Sequence, residues 1–491
     1  MASPLSEKDD VHTPLVDTIK ASYGSVPSPT RPGSTYSKPL SGTGSEPLNI
    51  VILGASFGGL STAHAFLDDT IDKLHTTSTA PHYRLIIISP STHIYWNIGA
   101  PRALVAPGLL NNDDAFIPIE PGFHRHRGHA FTIIQGECKS WDPNAQTVTV
   151  ELIGRTAEKR LTQINKRSSQ LSSPLSEGAR TQTVAYHGLI IATGTSAHSD
   201  LLSLHGPHTG TVGALSNFHS KVAAAKTIIV GGGGCSGVET AGQLATYLNH
   251  TRHFPFRRRV KEAKQIILIA GSDKLLPGIK DKVGKKAARQ LAQLGVDVRY
   301  NTRITAVRED FDLTGQVKVE LDDDTVMVVD AYVACTGVVP NTSFVPPKFL
   351  DEKGYIASDV ETMRLLPRVF AIGDVASYSN NYVLDVYTAV PIVLGNLLND
   401  LIAHELHLAS PYGGNQAEID ALEDEVLVQR KVNSHLCPIT RYGGVGWLSG
   451  AAIPSKMVHV LKGHDYRVGK ARAVVVDGGN PYSVKPGTKY E

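Results

Sequence analysis

The sequence predicts an α/β protein with two interleaved Rossmann-like dinucleotide-binding domains and a C-terminal α+β portion. An apolar strand, a glycine-rich turn and a helical pattern follow one another in NIVILGASFGGLSTAHAFL, which begins at Asn49. The same order returns about 180 residues later in TIIVGGGGCSGVETAGQLATYL, which begins at Thr227. Strand, glycine turn and helix form the start of a βαβ unit that binds a dinucleotide. Two such units in one chain predict two bound dinucleotides.

The chain of 491 residues exceeds the roughly 100 to 200 residues of an ordinary domain. Residues 1–46, rich in Ser, Pro, Thr and Gly, are expected to form a disordered tail. The first dinucleotide-binding domain is predicted to be discontinuous, at 47–205 and 338–400, with a surface insertion at about 156–183. Residues 206–337 are assigned to the second such domain, and residues 401–491 to the C-terminal portion.

The composition of the chain argues against several classes of function. The formal net charge of +2 predicts no nucleic-acid binding. The four cysteines are widely separated and lack Cys-x-x-Cys or metal-ligand spacing, so neither structural disulfides nor a metal site is expected. No apolar run reaches the roughly 18 residues of a membrane span, and no secretory signal begins the chain. We therefore expect an intracellular, cytoplasmic protein.

The first glycine-rich turn consists of Gly54, Ala55, Ser56, Phe57, Gly58 and Gly59. Gly54 permits a tight turn, Ser56 takes the place of the middle glycine, and Gly59 permits close helix packing beside a pyrophosphate. The second strand of this unit ends at Ser89, where an acidic residue would ordinarily bind ribose hydroxyls. By itself this turn is equally compatible with a purely structural glycine turn.

The second turn has strict G-x-G-x-x-G spacing in Gly232, Gly234 and Gly237. Its second strand ends in Ala270 and Gly271, with no carboxylate to repel a 2′-phosphate. Lys274 and the arginines at 257–259 could balance that phosphate, although such a basic cluster is also typical of a solvated loop. The pattern slightly favours NADPH over NADH, or tolerance of both.

Three further segments accompany the two units. IIATG and VACTG each end an apolar strand with Thr-Gly, as a strand returning beneath a cofactor would. VFAIGDVAS places Asp374 after a strand and a glycine, at an expected helix N-terminus. The carboxylate there is explained equally by helix capping or by a bond to a cofactor hydroxyl.

Taken in order, GASFGG, IIATG, GGGGCSGVE, VACTG and AIGD resemble the two-dinucleotide-binding flavoproteins of the pyridine nucleotide-disulfide oxidoreductase type. The resemblance implies FAD in the first domain and NAD(P)H in the second. Because the chain lacks that family's paired redox cysteines, electrons must pass from the flavin to an external acceptor.

Within this family, HIYWNIGAPRALV and GGVGWLSGAAIPSKMVHVLKGHDY resemble fungal apoptosis-inducing-factor-like, ferroptosis-suppressor-type oxidoreductases, which reduce quinones. The resemblance implies that Gly54 to Gly59 binds the FAD pyrophosphate, that Arg102 contacts the flavin cofactor and that Asp374 binds the ribityl chain. It also implies that the backbone of Cys138 meets the adenine, which leaves the thiol without a redox role.

Two residues are candidates for catalysis. Glu239 matches the family glutamate that holds the nicotinamide carboxamide, while a helix N-terminus also favours a carboxylate there. Tyr387 could orient a quinone carbonyl, although an aromatic residue on an apolar helix is more often part of the core. The segment SKMVHVLKG from Ser455 could lie on a membrane surface or simply pack against the protein.

We therefore predict an FAD-dependent NAD(P)H oxidoreductase whose external acceptor is a small, quinone-like molecule. Two alternatives remain at this stage. One is a tailoring oxidoreductase that acts on a specific secondary metabolite, and the other is a redox-sensing flavoprotein with little turnover. The sequence leaves the oligomeric state open.

Overall fold

The structure is a computed structural model that describes residues 46–75, 77–126, 128, 131–154, 180–250, 262–309, 315–428 and 434–482. The expected tail up to residue 45, the insertion up to residue 179 and the arginines at 257–259 lie outside these ranges.

The first glycine-rich turn follows the strand Leu48–Leu53, which belongs to an eight-stranded sheet. The central strands of this sheet are parallel and form near-continuous apolar runs, because both faces of the sheet are buried: Ile50, Val51 and Ile52 are all 0% exposed. From edge to edge the strands are Arg364–Leu366, Val369–Ala371, Gly188–Ile191, Leu48–Leu53, Tyr83–Ser89, Phe131–Asp142, Thr147–Leu152 and Thr181–Ala185. Strands that precede the second unit in the chain and strands that follow it thus share one sheet, which confirms the predicted interleaving.

The second unit is a parallel sheet with an antiparallel sheet beside it. The parallel strands are, in order, Val296–Arg299, Gln265–Ile269, Thr227–Gly231 and Ala331–Ala334. The antiparallel strands are Ile304–Glu309, Val317–Leu321 and Val326–Val329. Two short antiparallel pairs complete these domains, His93–Tyr95 with Phe116–Pro118 and Thr195–Ala197 with Val338–Pro340.

The α-helices are Phe57–Ala65, Ala100–Ala103, Asn112–Ala115, His208–Ala224, Cys235–Leu248, Asp281–Gln293, Val383–Ala409, Gln416–Asp420, Ser455–Val458 and Ala471–Asp477. Two π-helical turns, Phe66–Thr70 and His459–Gly463, continue helices directly. Short 3₁₀ turns occur at Ile71–Lys73, Asn97–Gly99, Glu120–His126, Pro347–Phe349 and Val468–Lys470.

The apolar helix on which the sequence places Tyr387 is Val383–Ala409, and it continues into a more polar second half. The polar side chains of this second half are stabilised by tertiary contacts. Buried Asp400 forms an ion pair with Arg364 and accepts a hydrogen bond from the Arg368 backbone amide. Among the described residues this is the one helix long and apolar enough to cross a membrane, contrary to our expectation. Val393 and Leu397 are fully buried, however, as in the core helix of a globular protein.

The C-terminal portion packs against both dinucleotide-binding units. Its strands His435–Thr440, Gly443–Leu448 and Ala451–Ala452 form an antiparallel sheet. The backbone of Ile439 comes so close to the helix Cys235–Leu248 that any side chain at Gly242 would collide with it. On the other side, the Val475 carbonyl lies 2.7 Å from His64 Nε2 on the first Rossmann helix. This portion therefore covers the space between the two units.

Candidate dinucleotide sites and the buried cluster between them

The first glycine-rich turn has the geometry of a pyrophosphate cradle. Gly54 has φ +100°, and a Cβ there would collide with the Ala192 carbonyl, so the strand ending in IIATG lies directly against the turn. A Cβ at Gly59 would collide with the Gly54 carbonyl, which holds the helix close to the strand. Both glycines thus have the predicted conformations and close contacts, and pyrophosphate binding at this turn stays a prediction.

The residues between these glycines begin the helix Phe57–Ala65. Ser56 is exposed at its N-cap position and its hydroxyl forms no capping bond, so it is available to a phosphate oxygen. Ala55 is buried, and the Phe57 ring lies 5.5 Å from that of Trp96. A Cβ at Gly58 would make only ordinary contacts with its neighbours. The turn therefore fits the diphosphate of FAD.

Asp374 follows Gly373, which has φ +79°, and lies in a turn. The next helix begins only at Val383, so the expected helix N-terminus at Asp374 is wrong, and capping does not explain this carboxylate. Within the described part of the chain it accepts a single side-chain hydrogen bond, from Ser379 Oγ at 3.3 Å. Burial raises its pKa to about 6, and Asp385 nearby adds to the effect. A partly exposed carboxylate with spare acceptor capacity suits a polyol hydroxyl.

The second turn repeats the geometry of the first. Gly232 has φ +114°, and a Cβ there would collide with the Cys335 carbonyl in VACTG. A Cβ at Gly237 would collide with the Gly232 carbonyl. Gly234, by contrast, faces open space, since a Cβ there would have no described neighbour within 4 Å. The open position at the middle glycine is where the backbone of a Rossmann turn approaches a pyrophosphate.

A cation that sequence reasoning missed lies at the end of the second unit's strand Gln265–Ile269. The exposed Arg303 side chain extends over Gly271, where its Cγ would lie 3.3 Å from a Cβ. Lys274, the predicted cation, is instead engaged with Asp281 at 2.7 Å. Arg303 comes from a different part of the unit, so only folding brings it to the ribose end of this site.

Glu239 is buried on the second Rossmann helix, with its Oε1 2.8 Å from Lys462 Nζ. Burial raises the pKa of Glu239 to about 7, against the opposing attraction of Lys462. Burial lowers the pKa of Lys462, but the nearby carboxylate outweighs it and the pKa is raised. The Tyr466 hydroxyl, which donates to the Pro438 carbonyl at 3.5 Å, also opposes the rise in the pKa of Glu239. This carboxyl can therefore change its protonation state near neutral pH.

Arg102 is buried between the same helix and the C-terminal portion. Its Nε donates to Gln243 Oε1 at 3.0 Å, and its two terminal nitrogens donate to the carbonyls of His464 and Gly463, each at 2.7 Å. The guanidinium also lies 4.6 Å from the centre of the Tyr466 ring. These bonds fix the C-terminal portion in place, and contact of Arg102 with the flavin cofactor stays a prediction.

Tyr387 has a buried hydroxyl without a hydrogen-bond partner among the described residues. Burial raises its pKa, and Asp477 and Tyr482 contribute. Tyr482 in turn interacts electrostatically with Lys462 and Glu239. The two predicted catalytic residues, Glu239 and Tyr387, thus both interact electrostatically with Tyr482 of the C-terminal portion.

Cys138 lies apart from this region, on the strand Phe131–Asp142. Burial raises the pKa of its thiol to about 12, and its Sγ donates to the Ser140 carbonyl at 3.5 Å. An unreactive, buried thiol agrees with the absence of a redox role. A backbone contact with adenine stays a prediction.

Sequence reasoning missed Lys462, Tyr466 and Tyr482, which complete the region around Glu239. The sequence places Lys462 at the end of a possible membrane-docking segment, but its side chain is only 16% exposed. A single cation in the apolar run MVHVLKG was the one available signal, since an unpaired lysine within a buried run requires a carboxylate partner.

Comparison with known proteins supports the assignment of both dinucleotide sites. Residues 48–391 match the family model for pyridine nucleotide-disulphide oxidoreductases. "Oxidoreductase phnG" of Penicillium herquei is 30% identical over 85% of this chain and 93% of its own length. "Type II NADH:quinone oxidoreductase NdhA" of Mycobacterium tuberculosis is 28% identical over 52% of this chain and 50% of its own.

Among solved structures, the sulfide:quinone oxidoreductase of Aquifex aeolicus has a TM-score of 0.60 at 13% identity, covering 88% of this chain and 92% of that one. At this identity the likeness concerns the fold alone. The finer resemblance to apoptosis-inducing-factor-like proteins stays a prediction. With two matching glycine turns and a family match over most of its length, the chain belongs to the pyridine nucleotide-disulphide oxidoreductase family, and its cofactors are FAD and NAD(P)H.

Proposed function

We propose that the protein oxidises NAD(P)H and reduces a quinone-like acceptor. The observation that carries this proposal is the buried Tyr387 hydroxyl, which has no partner among the described residues and interacts electrostatically with Tyr482, as Glu239 does. A buried hydroxyl without a partner costs about 1 to 3 kcal/mol, and a ligand carbonyl would recover that cost. A quinone offers such a carbonyl on a flat, apolar ring.

The chain's own residues position the reactants. When bound, FAD supplies two-electron chemistry between the nicotinamide and the acceptor. Glu239 would hold the nicotinamide carboxamide, and Lys462 keeps the carboxyl in place through their ion pair. The C-terminal portion covers this region and limits the access of water, which strengthens each of these electrostatic contacts.

The relatives support a quinone without determining it. The name of the mycobacterial relative specifies a quinone acceptor, but this chain spans only half of that protein. The fungal relative that covers most of the chain has a name that states no acceptor. Exposed apolar side chains near the C-terminus would suit contact with a membrane, where apolar quinones dissolve. Met457, Val460 and Tyr442 are 47%, 74% and 51% exposed. We include peripheral membrane contact at this surface in the proposal.

The experiment that tests the proposal is anaerobic mixing of the purified protein with NADH or NADPH, followed through the visible absorbance of the flavin. Bleaching by either donor, followed by recovery on addition of a simple quinone, is the expected result. Replacing Arg303 with Ala should raise the KM for NADPH several-fold and leave that for NADH unchanged, because only NADPH carries the 2′-phosphate beside Gly271. Tyr387→Phe should slow recovery with quinone without slowing bleaching.

Two results would count against the proposal. A flavin that neither donor bleaches would leave the second domain without its assigned ligand. A flavin that bleaches but is not reoxidised by any simple quinone would remove the quinone from the proposal and keep the NAD(P)H oxidoreductase.

A further inference from the structure

Two of the four cysteines meet in the folded chain although they are 202 residues apart in sequence. Cys437 Sγ lies 4.0 Å from the Cys235 carbonyl oxygen, to which it can donate, and the two thiols are close enough to shift each other's pKa. Both cysteines are free. The sequence showed no pair, because one thiol belongs to the second glycine-rich turn and the other to the C-terminal sheet.

The two thiols have different surroundings. Cys235 is the first residue of the helix Cys235–Leu248, where the unpaired backbone amides favour a negative charge. The neighbouring Cys437 thiol lowers the pKa of Cys235 against the opposing effect of burial, and His435 and Lys462 lower it further. The pKa of Cys437 is raised by the neighbouring Cys235, by burial and by Glu239. Of the two, Cys235 is therefore the more acidic thiol.

Their accessibility also differs. Cys235 is partly exposed and follows Gly234, beside which the structure leaves open space. Cys437 is 1% exposed. His435 is held by a hydrogen bond with the Tyr382 hydroxyl and lies beside Cys235, so the pair also borders the segment that follows Asp374. A small reactant can therefore reach Cys235 through the open space beside the second turn, whereas Cys437 is buried.

We propose that Cys235 and Cys437 form a redox-active dithiol that a small hydroperoxide oxidises and that NAD(P)H reduces. The Cys235 thiolate attacks the peroxide, the O–O bond breaks, and a sulfenic acid forms as an alcohol or water leaves. The Cys437 thiol then attacks that sulfur, the S–S bond forms and water leaves. The sum is dithiol plus ROOH giving disulfide, ROH and water.

The return step consumes one NAD(P)H and one proton and yields NAD(P)⁺ and the dithiol, so two electrons break the S–S bond. This half rests on the proposed function, since it needs the same donor, whereas oxidation by peroxide does not. The dithiol is distinct from Cys138 and Cys335, whose thiols have pKa values raised to about 12 by burial.

The first test treats the reduced, full-length holoenzyme with one equivalent of hydrogen peroxide, followed by alkylation, digestion and peptide mass analysis. A peptide joined through Cys235 and Cys437 is the expected product, and the matched control Cys138→Ser should yield it equally. Cys437→Ser should instead accumulate a sulfenic acid at Cys235 that dimedone traps. Two alkylated, unlinked thiols in the wild type would overturn the proposal, whatever the variants do.

The second test is an anaerobic titration of the peroxide-oxidised protein with NADPH and NADH, with the thiols counted at each point. The wild type should consume about one equivalent more than Cys235→Ser, which lacks the attacking thiol and so forms neither sulfenic acid nor disulfide, and should regain two thiols. Bleaching of the flavin without any gain of thiols would overturn the return step and leave the proposed function intact. A flavin that fails to bleach would contradict the proposed function, while the linked peptide of the first test still decides the oxidation.

Discussion

Replacing Lys462 with Met should produce a pH-dependent loss of stability that reports on Glu239. Lys462 Nζ lies 2.8 Å from the carboxylate, and the two side chains are 16% and 3% exposed. Met keeps most of the side-chain volume but not the charge. Removing one member of a buried ion pair costs about 3 to 5 kcal/mol, because the remaining charge is left without a partner.

The sign of the pH dependence follows from the pKa of Glu239, which the fold raises from 4.5 to about 7. Between these values the folded state binds more protons than the unfolded state, so the free energy of unfolding falls as pH rises. In the wild type this loss ends near pH 7. Without the attraction of Lys462 the folded pKa is higher still, and the variant should keep losing about 1.4 kcal/mol per pH unit above pH 7.

The assay is urea unfolding of wild type and Lys462→Met between pH 6 and 8.5 in reducing buffer, followed by tryptophan fluorescence. We expect the difference in unfolding free energy to be smallest at pH 6, where the variant's carboxyl is protonated. The double variant with Glu239→Gln should recover most of the loss at pH 8.5. Parallel pH curves above pH 7, or a double variant as unstable as the single one, would refute the reasoning.

Two further predictions concern the cofactor sites. Asp374→Ala should weaken FAD binding by about 10- to 100-fold, the equivalent of one hydrogen bond to a charged group, and a protein purified with its full flavin content would contradict the ribityl assignment. Gly234→Val should raise the KM for NAD(P)H at least tenfold while FAD content and thermal stability stay at wild-type values, because a Cβ there has no described neighbour within 4 Å and points into the open space beside the turn. An unchanged KM would argue against dinucleotide binding at this turn.

The two glycine-rich turns were predictable because their requirements are local. A positive φ at Gly54 and Gly232, and helix–strand contacts that exclude any Cβ at Gly59 and Gly237, leave glycine as the only residue that fits. The alternation of apolar strands with helices indicated the α/β class for the same reason, while the interleaving followed from the order of the motifs and the family resemblance. Asp374 shows the limit of local patterns, since its position after a strand suggested a helix start that the chain does not make.

What the amino-acid sequence determined alone was therefore the pair of dinucleotide folds and their cofactors. Only the tertiary structure decided how the C-terminal portion completes the region between them. Lys462 meets Glu239, Arg303 reaches Gly271, and Cys437 reaches Cys235 across long stretches of chain. These contacts join residues that are far apart in sequence. The local sequence around a lysine, arginine or cysteine therefore does not predict which charge or thiol the folded chain brings next to it.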